Sequence, residues 1–515
     1  MAEKAPGRGF AGWLRELPGN AIAGMSVALI AVPQAMAYAG LAGMPPIVGL
    51  YAVALPPVAA ALFASSPYLQ TGPVAITALL TAGALSGLAA PGTPEYVHMG
   101  LGLALAVGLI RVLLGLLRGG WIAYLMSQPM LVGFVPAAGV LIASSQIPKA
   151  VGCQPPEFRN DIAAALWALT HPNLWNAGAV MLTLLTAVLI LGGRRAHPLF
   201  PGVLAAVIAG LAMSWLDWFR GPTIGSIPSG FPSLTIDMIP WGSLPELIMP
   251  GILIALIGFT EAASISRRFA SEDRVRWSAN REFISQGAAN IAAAVTGGMP
   301  CGGSFSRSSV NRLAGATSRM SGAITGLAVL TFLPFASALE PLPLAVLGAI
   351  VVAAVLNLIR FGPMIRIWRV SLPQAVIAWV TFAATLLLAP RIDLAVLIGV
   401  GMSIAVFLWR MLNLEVDVAA ESDAVVFTPR GVLWFGTAQR LDDLLVDALA
   451  AHPNTRRLEI NLSRLGRIDT TGAVVIRSVL DYAHSLGLEA GAIGVPPQSA
   501  ALVARVLDPT NPPLT

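Results

Sequence analysis

The stretch Gly297-Gly-Met-Pro-Cys-Gly-Gly-Ser-Phe-Ser-Arg-Ser-Ser-Val-Asn-Arg312 lies between two long apolar segments and places glycines, hydroxyls and an arginine close together. Ser304, Ser306 and Arg307 are expected in the first turn of a helix. Helix-start N–H groups, hydroxyl donors and a fixed positive charge can together replace the water around a small anion inside a membrane. A capped helix after a cytoplasmic loop explains the same residues equally well, so the rest of the chain must decide.

Composition places the chain in a membrane. Of its 515 residues, 56% are hydrophobic and only 11% are charged, whereas soluble domains carry roughly 25% charged residues. The mean hydropathy is +0.76. The first fifteen residues lack the short apolar core and cleavage site of a removable signal peptide. Two cysteines, Cys153 and Cys301, are too few for a disulfide framework or a cysteine-ligated metal site.

Apolar runs recur from Asn20 to about Leu412 and predict fourteen transmembrane segments. We place them near residues 20–42, 47–64, 72–89, 99–117, 130–148, 177–192, 200–216, 247–265, 283–297, 304–315, 320–338, 342–359, 372–389 and 392–412. Most approach the ~20 residues that a helix needs to cross a bilayer, but 304–315 is too short to cross as one helix.

Basic residues are distributed unevenly between the predicted loops. With the N-terminus inside, thirteen fall in cytoplasmic loops: Arg118, Arg194, Arg195, Arg267, Arg268, Arg274, Arg276, Arg281, Arg312, Arg319, Arg360, Arg366 and Arg369. Four fall on the opposite side: Lys149, Arg159, Arg220 and Arg391. This bias follows the positive-inside rule. We therefore expect a multi-pass protein of the cell (inner) membrane with both termini in the cytoplasm, and no nucleic-acid partner.

From Glu415 onward the sequence is typical of a soluble α/β domain. Predicted strands cover 424–427, 432–435 and 458–462, with a turn at 428–431 and helices at 441–451 and 472–486. This alternation predicts a small sheet covered by helices. The expected domains are a cytoplasmic N-terminal segment (1–18), a transmembrane domain (19–414) and a cytoplasmic tail domain (415–515).

Two pairs of segments indicate an internal repeat. Ala23–Ala35 aligns with Pro250–Ala262, and Gln70–Ala75 aligns with the region Gly302–Arg307. Because each half holds seven spans, an odd number, the halves must run through the membrane in opposite directions. Inverted halves that meet at interrupted helices are typical of secondary transporters, whose substrates bind near the midplane. A chance match between apolar stretches is the alternative.

Longer motifs resemble one family, the SulP anion transporters, which includes sulfate permeases, bicarbonate and dicarboxylate transporters, and prestin and pendrin. Its opening signature is similar to Ala23–Ser26, Pro33–Ala39, Leu41–Pro46 and Gly49–Tyr51. The segment Gln70–Ala75 resembles the start of the family's third helix, and Ser304–Arg307 resembles the start of its tenth. Asn280–Glu282, with Gly287 and Asn290, resembles its ninth-span motif. The tail resembles a STAS domain, at Asn461–Arg464 and Ile468–Gly472.

The resemblance implies an α-helical fold of two inverted seven-segment repeats. A core domain of spans 1–4 and 8–11 would move against a gate domain of spans 5–7 and 12–14, in a homodimer. The anion is expected between the N-termini of two short half-helices, spans 3 and 10, which begin near Gly72 and Ser304. The implied substrate-binding residues are Gln34, Tyr38, Gly72, Pro73, Val74, Gly303, Ser304, Phe305, Ser306 and Arg307.

Local chemistry fits these assignments but leaves alternatives. Gly72 permits close backbone approach to a ligand, and Pro73 suits the first position of a helix. Gln34 follows a helix-bending proline and can donate to an anion, or a neighbouring helix can satisfy it. Tyr38 would either line the same cavity or only pack against neighbouring side chains. Arg307 would supply a field rather than a rigid clamp, because a transported ion must leave; a structural ion pair is its alternative.

Glu261 is the candidate for ion coupling. A carboxylate in an apolar span is costly to bury in its charged form, so Glu261 is expected to carry a proton when the anion is bound and to release it on the return. A permanent salt bridge with Arg307 is the alternative. In some family members a carboxylate near this point helps to ligate sodium with a hydroxyl one turn later. That position is Ile265 here, which weakens a sodium site.

The sequence therefore predicts a proton-coupled symporter of sulfate, bicarbonate or short dicarboxylates such as fumarate and succinate, with an elevator-like mechanism. We expect no enzyme activity, cofactor or metal site. An anion exchanger and a sodium-coupled symporter are alternatives, and a non-transporting regulator acting through the STAS domain is an alternative of another class. A protein partner of the tail is left open, as is phosphorylation of Thr470 or Thr471, where helix capping is the favoured role.

Overall fold

The protein is described from a computed structural model, which covers residues 10–124, 127–158, 160–197, 199–421 and 423–508. Residues 1–9 of the predicted N-terminal segment, Arg159 of the charge count and residues 509–515 of the predicted tail domain lie outside these ranges. The chain forms two compact units, residues 1–400 and 401–515.

A helix accounts for each of the fourteen predicted spans. In chain order they are α1 (Phe10–Leu41), α2 (Pro46–Phe63), α3 (Ala75–Leu85), α4 (Pro94–Leu116), α5 (Gln128–Val151), α6 (Ala177–Ala187, extended by a π-turn Val188–Gly192 and by Gly193–Ala196), α7 (Gly202–Trp215), α8 (Leu244–Glu272), α9 (Ala279–Val295), α10 (Phe305–Leu313), α11 (Met320–Phe332, extended by the 3₁₀ turn Leu333–Leu339), α12 (Leu344–Val355), α13 (Leu372–Leu387) and α14 (Ile392–Leu412). Two further helices, Asp161–Thr170 and Gly362–Val370, lie in connections.

Several helix ends differ from the apolar boundaries. Within the described ranges, eight helices are long and apolar enough to cross a bilayer, namely α1, α2, α4, α5, α6, α8, α11 and α14. Helix α1 begins at Phe10 and α8 continues to Glu272, well beyond the predicted 20 and 265. Hydropathy marks only the part of a helix that lies in hydrocarbon, whereas backbone hydrogen bonding continues into the interface. The predicted boundaries at these two helix ends were therefore too narrow.

Helices α3 and α10 stop far short of a full crossing. They contain 11 and 9 residues, and nine residues of α-helix span only about 13 Å. Each follows a three-residue strand, β1 (Gln70–Gly72) or β2 (Gly302–Ser304), and the two strands pair antiparallel with Thr71 opposite Gly303. This ribbon satisfies backbone groups that hydrocarbon could not satisfy, and it joins the two halves of the chain at their interruptions.

The helices around this ribbon approach each other closely. Helix α4 packs along α9, where a β-carbon placed on Gly287 would lie 2.8 Å from the backbone oxygen of Gly108. Small residues permit such backbone contact between membrane helices. The closely packed α4–α9 pair therefore supports the two strand–helix units, β1–α3 and β2–α10.

The tail forms a five-stranded sheet with the order β3-β4-β5-β7, while β6 also pairs with β4. Strand β3 is antiparallel to β4, and the other pairings are parallel. The strands are β3 (Glu415–Glu421), β4 (Ala424–Leu433), β5 (Arg457–Asn461), β6 (Leu465–Ile468) and β7 (Glu489–Ile493), and the helices are α15 (Phe435–Ala451), α16 (Thr470–Ser485) and α17 (Ala500–Leu507).

Two expectations for the tail were wrong. The predicted turn at 428–431 is part of the continuous strand β4, because a register shift between Gly431 and Val432 accommodates the irregular residues within the sheet. The favoured capping role of Thr470 or Thr471 is also wrong. Asp469 caps α16, since its Oδ1 accepts a hydrogen bond from the Gly472 N–H at 2.8 Å, and a carboxylate is a stronger cap than threonine.

Candidate functional site

The candidate site lies where β1 leads into α3 and β2 leads into α10. Ser304 is the N-cap of α10, and its hydroxyl accepts a hydrogen bond from the Arg307 N–H at 3.4 Å. Val74, in an extended conformation, is the N-cap of α3. Pro73 therefore precedes the cap, and the expectation that it occupies the first helical position was wrong. The first N–H groups of both helices have no intrahelical partner, as at every helix start.

Arg307 is buried beside the ribbon with only part of its hydrogen-bonding capacity used. The residue is 1% exposed, and its Nη2 donates to the Pro73 carbonyl at 2.7 Å. Its Nε and Nη1 are buried without a hydrogen-bond partner among the described residues. Leaving charged donors unsatisfied is costly, so this guanidinium presents two N–H groups that suit a bound acceptor.

Gly72 permits this position of the guanidinium. A β-carbon on Gly72 would lie 3.0 Å from Nη1 and 3.3 Å from Nη2 of Arg307. The backbone of Gly72 has φ of +152°, a region that residues with a side chain rarely adopt. Glycine at this position is thus required both by the backbone and by the arginine.

The salt bridge between Glu261 and Arg307, which was the alternative to proton coupling, is absent among the described residues. No ion pair joins the two residues in the described part of the chain, because the guanidinium is held by the Pro73 carbonyl instead. The half-buried Glu261 carboxylate lies near the Phe305 N–H and within the field of Arg307. Within the described ranges, the carboxylate at the start of α10 therefore has no ion-pair partner.

Helix α1 contributes the other polar side chains. Tyr38 is buried and interacts electrostatically with both Arg307 and Glu261. Gln34, one turn earlier, is 2% exposed, and its Oε1 has no hydrogen-bond partner within the described ranges. A neighbouring helix thus does not fully satisfy this amide. The structure brings Tyr38, Glu261 and Arg307 together, with Gln34 on the adjacent turn.

The remaining predicted residues differ in exposure. Ser304 is buried and Ser306 half-buried, with their hydroxyl oxygens 3.4 Å apart. Val74 packs against the ribbon, since the Cγ2 of Val74 lies 3.0 Å from the position that a β-carbon on Gly302 would take. Gly302 is the neighbour of the predicted site residue Gly303. Phe305 is 45% exposed, and its ring lies below the Arg268 guanidinium at 5.6 Å from the ring centroid.

A polar cavity of about 370 Å³ follows one face of α8 from the neighbourhood of the site. Its polar lining residues are Gln128, Thr260, Ser264, Arg267, Arg268 and Ser271. Thr260 is next to Glu261 in sequence, and the arginines belong to the end that charge asymmetry assigns to the cytoplasm. Its polar and basic lining suits an anion.

Side chains of α9 hold the ribbon in place. Asn290 accepts a hydrogen bond from the Cys301 N–H at 2.9 Å and donates to the Cys301 carbonyl at 3.1 Å. Gln286 donates to the Thr71 hydroxyl at 2.7 Å. From the sequence, Asn290 was recognised only as part of a family motif and Gln286 was not recognised at all, because these contacts join residues that are distant along the chain.

Arg111 was also not identified from the sequence. It lies inside α4, is 0% exposed, and donates to the carbonyls of Ala255, Cys301 and Ile254 at 3.2, 2.8 and 3.1 Å. An arginine within the predicted span 99–117 was the available signal, since ionisable residues inside membranes are rare and functional by default.

Comparison with known proteins agrees with this architecture. Residues 17–381 match the model of the sulfate permease family. A probable sulfate transporter of Mycobacterium tuberculosis is 35% identical over 405 residues, which cover 78% of this chain and 71% of the relative. The chloroplastic sulfate transporter 4.1 of Arabidopsis thaliana is 32% identical over 425 residues, covering 79% of this chain and 60% of the relative.

Solved structures of low sequence identity share the fold. The murine solute carrier 26 family member A9 anion transporter, in an inward-facing state, aligns with a TM-score of 0.85 at 18% identity, covering 98% of this chain and 92% of its own. The transmembrane domain of the cyanobacterial bicarbonate transporter BicA aligns with a TM-score of 0.63 at 24% identity, covering 76% of this chain and 98% of its own. The predicted fold class is thereby confirmed, and the small α/β tail fits a STAS domain. The chain belongs to the sulfate permease family, and it is a membrane anion transporter rather than an enzyme.

Proposed function

We propose that this protein is a proton-coupled symporter of small oxyanions or short dicarboxylates, with sulfate as the first candidate and bicarbonate, fumarate and succinate as the others. The observation that carries the proposal is the buried Arg307, which lies between two helix starts and whose Nε and Nη1 have no hydrogen-bond partner among the described residues. The names of the relatives, which are sulfate transporters, favour sulfate.

The donors at the site suit an anion with several acceptor oxygens. The N–H groups that begin α3 and α10, the hydroxyls of Ser304 and Ser306, and Arg307 offer donors from several directions, and Gln34 lies one turn from this group. A helix start favours negative charge through both its N–H groups and its dipole. Because only one guanidinium contacts the anion, binding remains weak enough for release.

Glu261 couples the anion to a proton in this proposal. The ionised carboxylate beside the start of α10 repels an incoming anion, whereas the protonated carboxyl does not. Protonation therefore favours anion binding, and the anion favours protonation, since coupling between two binding events is reciprocal. The sodium-coupled alternative is weakened by the buried Ile265 at the position where a second ligand is expected.

We propose an elevator-like movement of the core domain (spans 1–4 and 8–11) against the gate domain (spans 5–7 and 12–14) within the transmembrane domain 19–414. The β1–β2 pairing and the Arg307–Pro73 hydrogen bond hold both half-helices in one body. The anion would thus move with its site intact. The protein would act as a homodimer in the inner membrane, with both termini and a STAS domain (415–515) in the cytoplasm.

The test is uptake of labelled sulfate, bicarbonate, succinate and fumarate into proteoliposomes under imposed proton, sodium or chloride gradients. A proton gradient, acid outside, should drive accumulation of at least one of these anions. Dependence on sodium would instead support the sodium-coupled symporter, and dependence on internal chloride would support the anion exchanger. Absence of any anion flux would favour the remaining alternative, a non-transporting regulator that acts through the STAS domain.

Arg307→Gln isolates the site in the same assay. We expect it to abolish saturable uptake, because it removes the charge and two donors from the binding position. Arg366→Gln is the matched control, since this arginine is exposed in a connecting helix. Equal uptake by the two variants would reject Arg307 as a binding residue.

A further inference from the structure

Arg111 is a second buried cation in the transmembrane unit. Its three hydrogen bonds go to the carbonyls of Ala255, Cys301 and Ile254, all neutral groups. No carboxylate lies within ion-pair distance of it among the residues that the structure describes. Burying a charge without an opposite charge is costly, so its retention inside α4 calls for a compensating anion.

Arg111 lies immediately next to the candidate site. Cys301, which accepts its Nη1 hydrogen bond, directly precedes β2. A β-carbon on Gly258 would lie 2.7 Å from Nη2 of Arg111 and 2.9 Å from Cγ2 of Thr77, in the first turn of α3. Arg111 is closed off from solvent, and both it and Arg307 interact electrostatically with the Cys301 side chain, in an interior that screens charge weakly.

The charges around the site can be counted from each packed element. Arg111 comes from α4, Arg307 from α10 and Glu261 from α8, while Tyr38 from α1 and the Cys301 thiol contribute no charge in their neutral forms. Arg268 and Glu272, also on α8, pair with each other at 2.9 Å. Glu282 of α9 lies in the field of Arg281 and accepts hydrogen bonds from the N–H groups of Ser65 and Ser66 and from Trp277. With these two carboxylates set against arginines, Arg111, Arg307 and Glu261 are the described charged groups beside the ribbon that remain to be balanced.

We propose that Arg111 sets the valence of the transported anion, so that a dianion moves together with a proton on Glu261 and a monoanion moves with Glu261 ionised. With Glu261 protonated, the two arginines and a dianion sum to zero charge. With Glu261 ionised, the two arginines and a monoanion also sum to zero. This inference rests on the proposed anion symport and names the charge of its substrate, with Arg111 as a positioning residue that acts through the field.

The experiment compares sulfate with methyl sulfate, a monoanion of similar shape, in proteoliposomes that contain a pH-sensitive dye. Wild-type protein should carry about one proton with each sulfate and none with methyl sulfate. Arg111→Gln, which retains a donor for the carbonyls but not the charge, should lower the ratio of sulfate to methyl sulfate uptake by about tenfold. Arg111→Lys should restore the ratio.

Specific outcomes overturn the inference. Equal losses for both anions in Arg111→Gln would show a purely structural role. The same proton count for both anions in the wild type would reject the charge balance, and this measurement decides even if Arg111→Gln does not fold. Wild-type protein that carries neither anion would reject sulfate as the substrate of the proposed function and this inference with it, whereas normal uptake of both with equal proton counts would reject the inference alone.

Discussion

Replacing Gly72 by alanine changes the site through a single methyl group. The β-carbon would lie 3.0 Å from Nη1 of Arg307 and 3.3 Å from Nη2, so the guanidinium must move by a few tenths of an ångström or the ribbon must open. The backbone must also hold alanine at φ of +152°, which costs about 1–3 kcal/mol. Two separate effects are therefore combined in one substitution.

Gly315→Ala separates these effects. Gly315 has φ of +94°, and no heavy atom lies within 4 Å of the β-carbon position. It therefore imposes backbone strain without touching Arg307. We expect both variants to lose thermal stability, and only Gly72→Ala to lose anion affinity.

The expected loss of sulfate affinity in Gly72→Ala follows from the displacement of the Arg307 guanidinium. Misplacing one charge-assisted hydrogen bond to the anion removes about 1.5–3 kcal/mol, which corresponds to a KM for sulfate raised roughly ten- to a hundredfold. The assay is initial-rate uptake over a range of sulfate concentrations in proteoliposomes, with the amount of folded protein measured by size-exclusion chromatography. A KM for Gly72→Ala equal to that for Gly315→Ala would refute the placement of Arg307 at the anion.

Three further predictions concern other parts of the molecule. Glu261→Gln should remove the acceleration of uptake by a proton gradient while downhill anion exchange persists; acceleration that survives the substitution would exclude Glu261 as the proton carrier. Asn290→Ala leaves the Cys301 N–H without its acceptor, while the Cys301 carbonyl keeps the hydrogen bond from Arg111, and at about 1–3 kcal/mol for an unsatisfied buried group it should lower the melting temperature and the uptake rate together. An unchanged melting temperature would contradict that role. Asp469→Ala removes the cap of α16 and should destabilise the tail by about 0.5–2 kcal/mol, measured by limited proteolysis, while the KM for sulfate stays unchanged.

The sequence patterns that were informative are those set by the bilayer. A helix in hydrocarbon must be apolar over most of its length, so hydropathy located the apolar spans. The segment at 304–315 stood out because it is too short to cross, and the structure places a nine-residue polar helix there. Glycine and serine before that helix indicated an irregular backbone, which is the strand β2.

Contacts between distant residues could not be predicted in the same way. The sequence left open whether Arg307 forms an ion pair with Glu261, and it gave no sign that the guanidinium donates instead to the carbonyl of Pro73, a residue more than two hundred positions away. Arg111 was overlooked because its partners are backbone carbonyls of other segments, which have no sequence signature. In the tail, strand β4 continues through a turn-like tetrapeptide because neighbouring strands supply its hydrogen bonds.

The pairing of β1 with β2 has a consequence for the order in which the protein is assembled. Residues 70–72 enter the membrane early in synthesis, yet their strand partners are residues 302–304. Until the second half is inserted, the N–H and C=O groups of β1 face a bilayer that cannot hydrogen-bond them. The first seven helices therefore cannot reach their final arrangement alone. The anion site comes into existence only when translation has passed α10, so a chain truncated before that helix has no site to occupy.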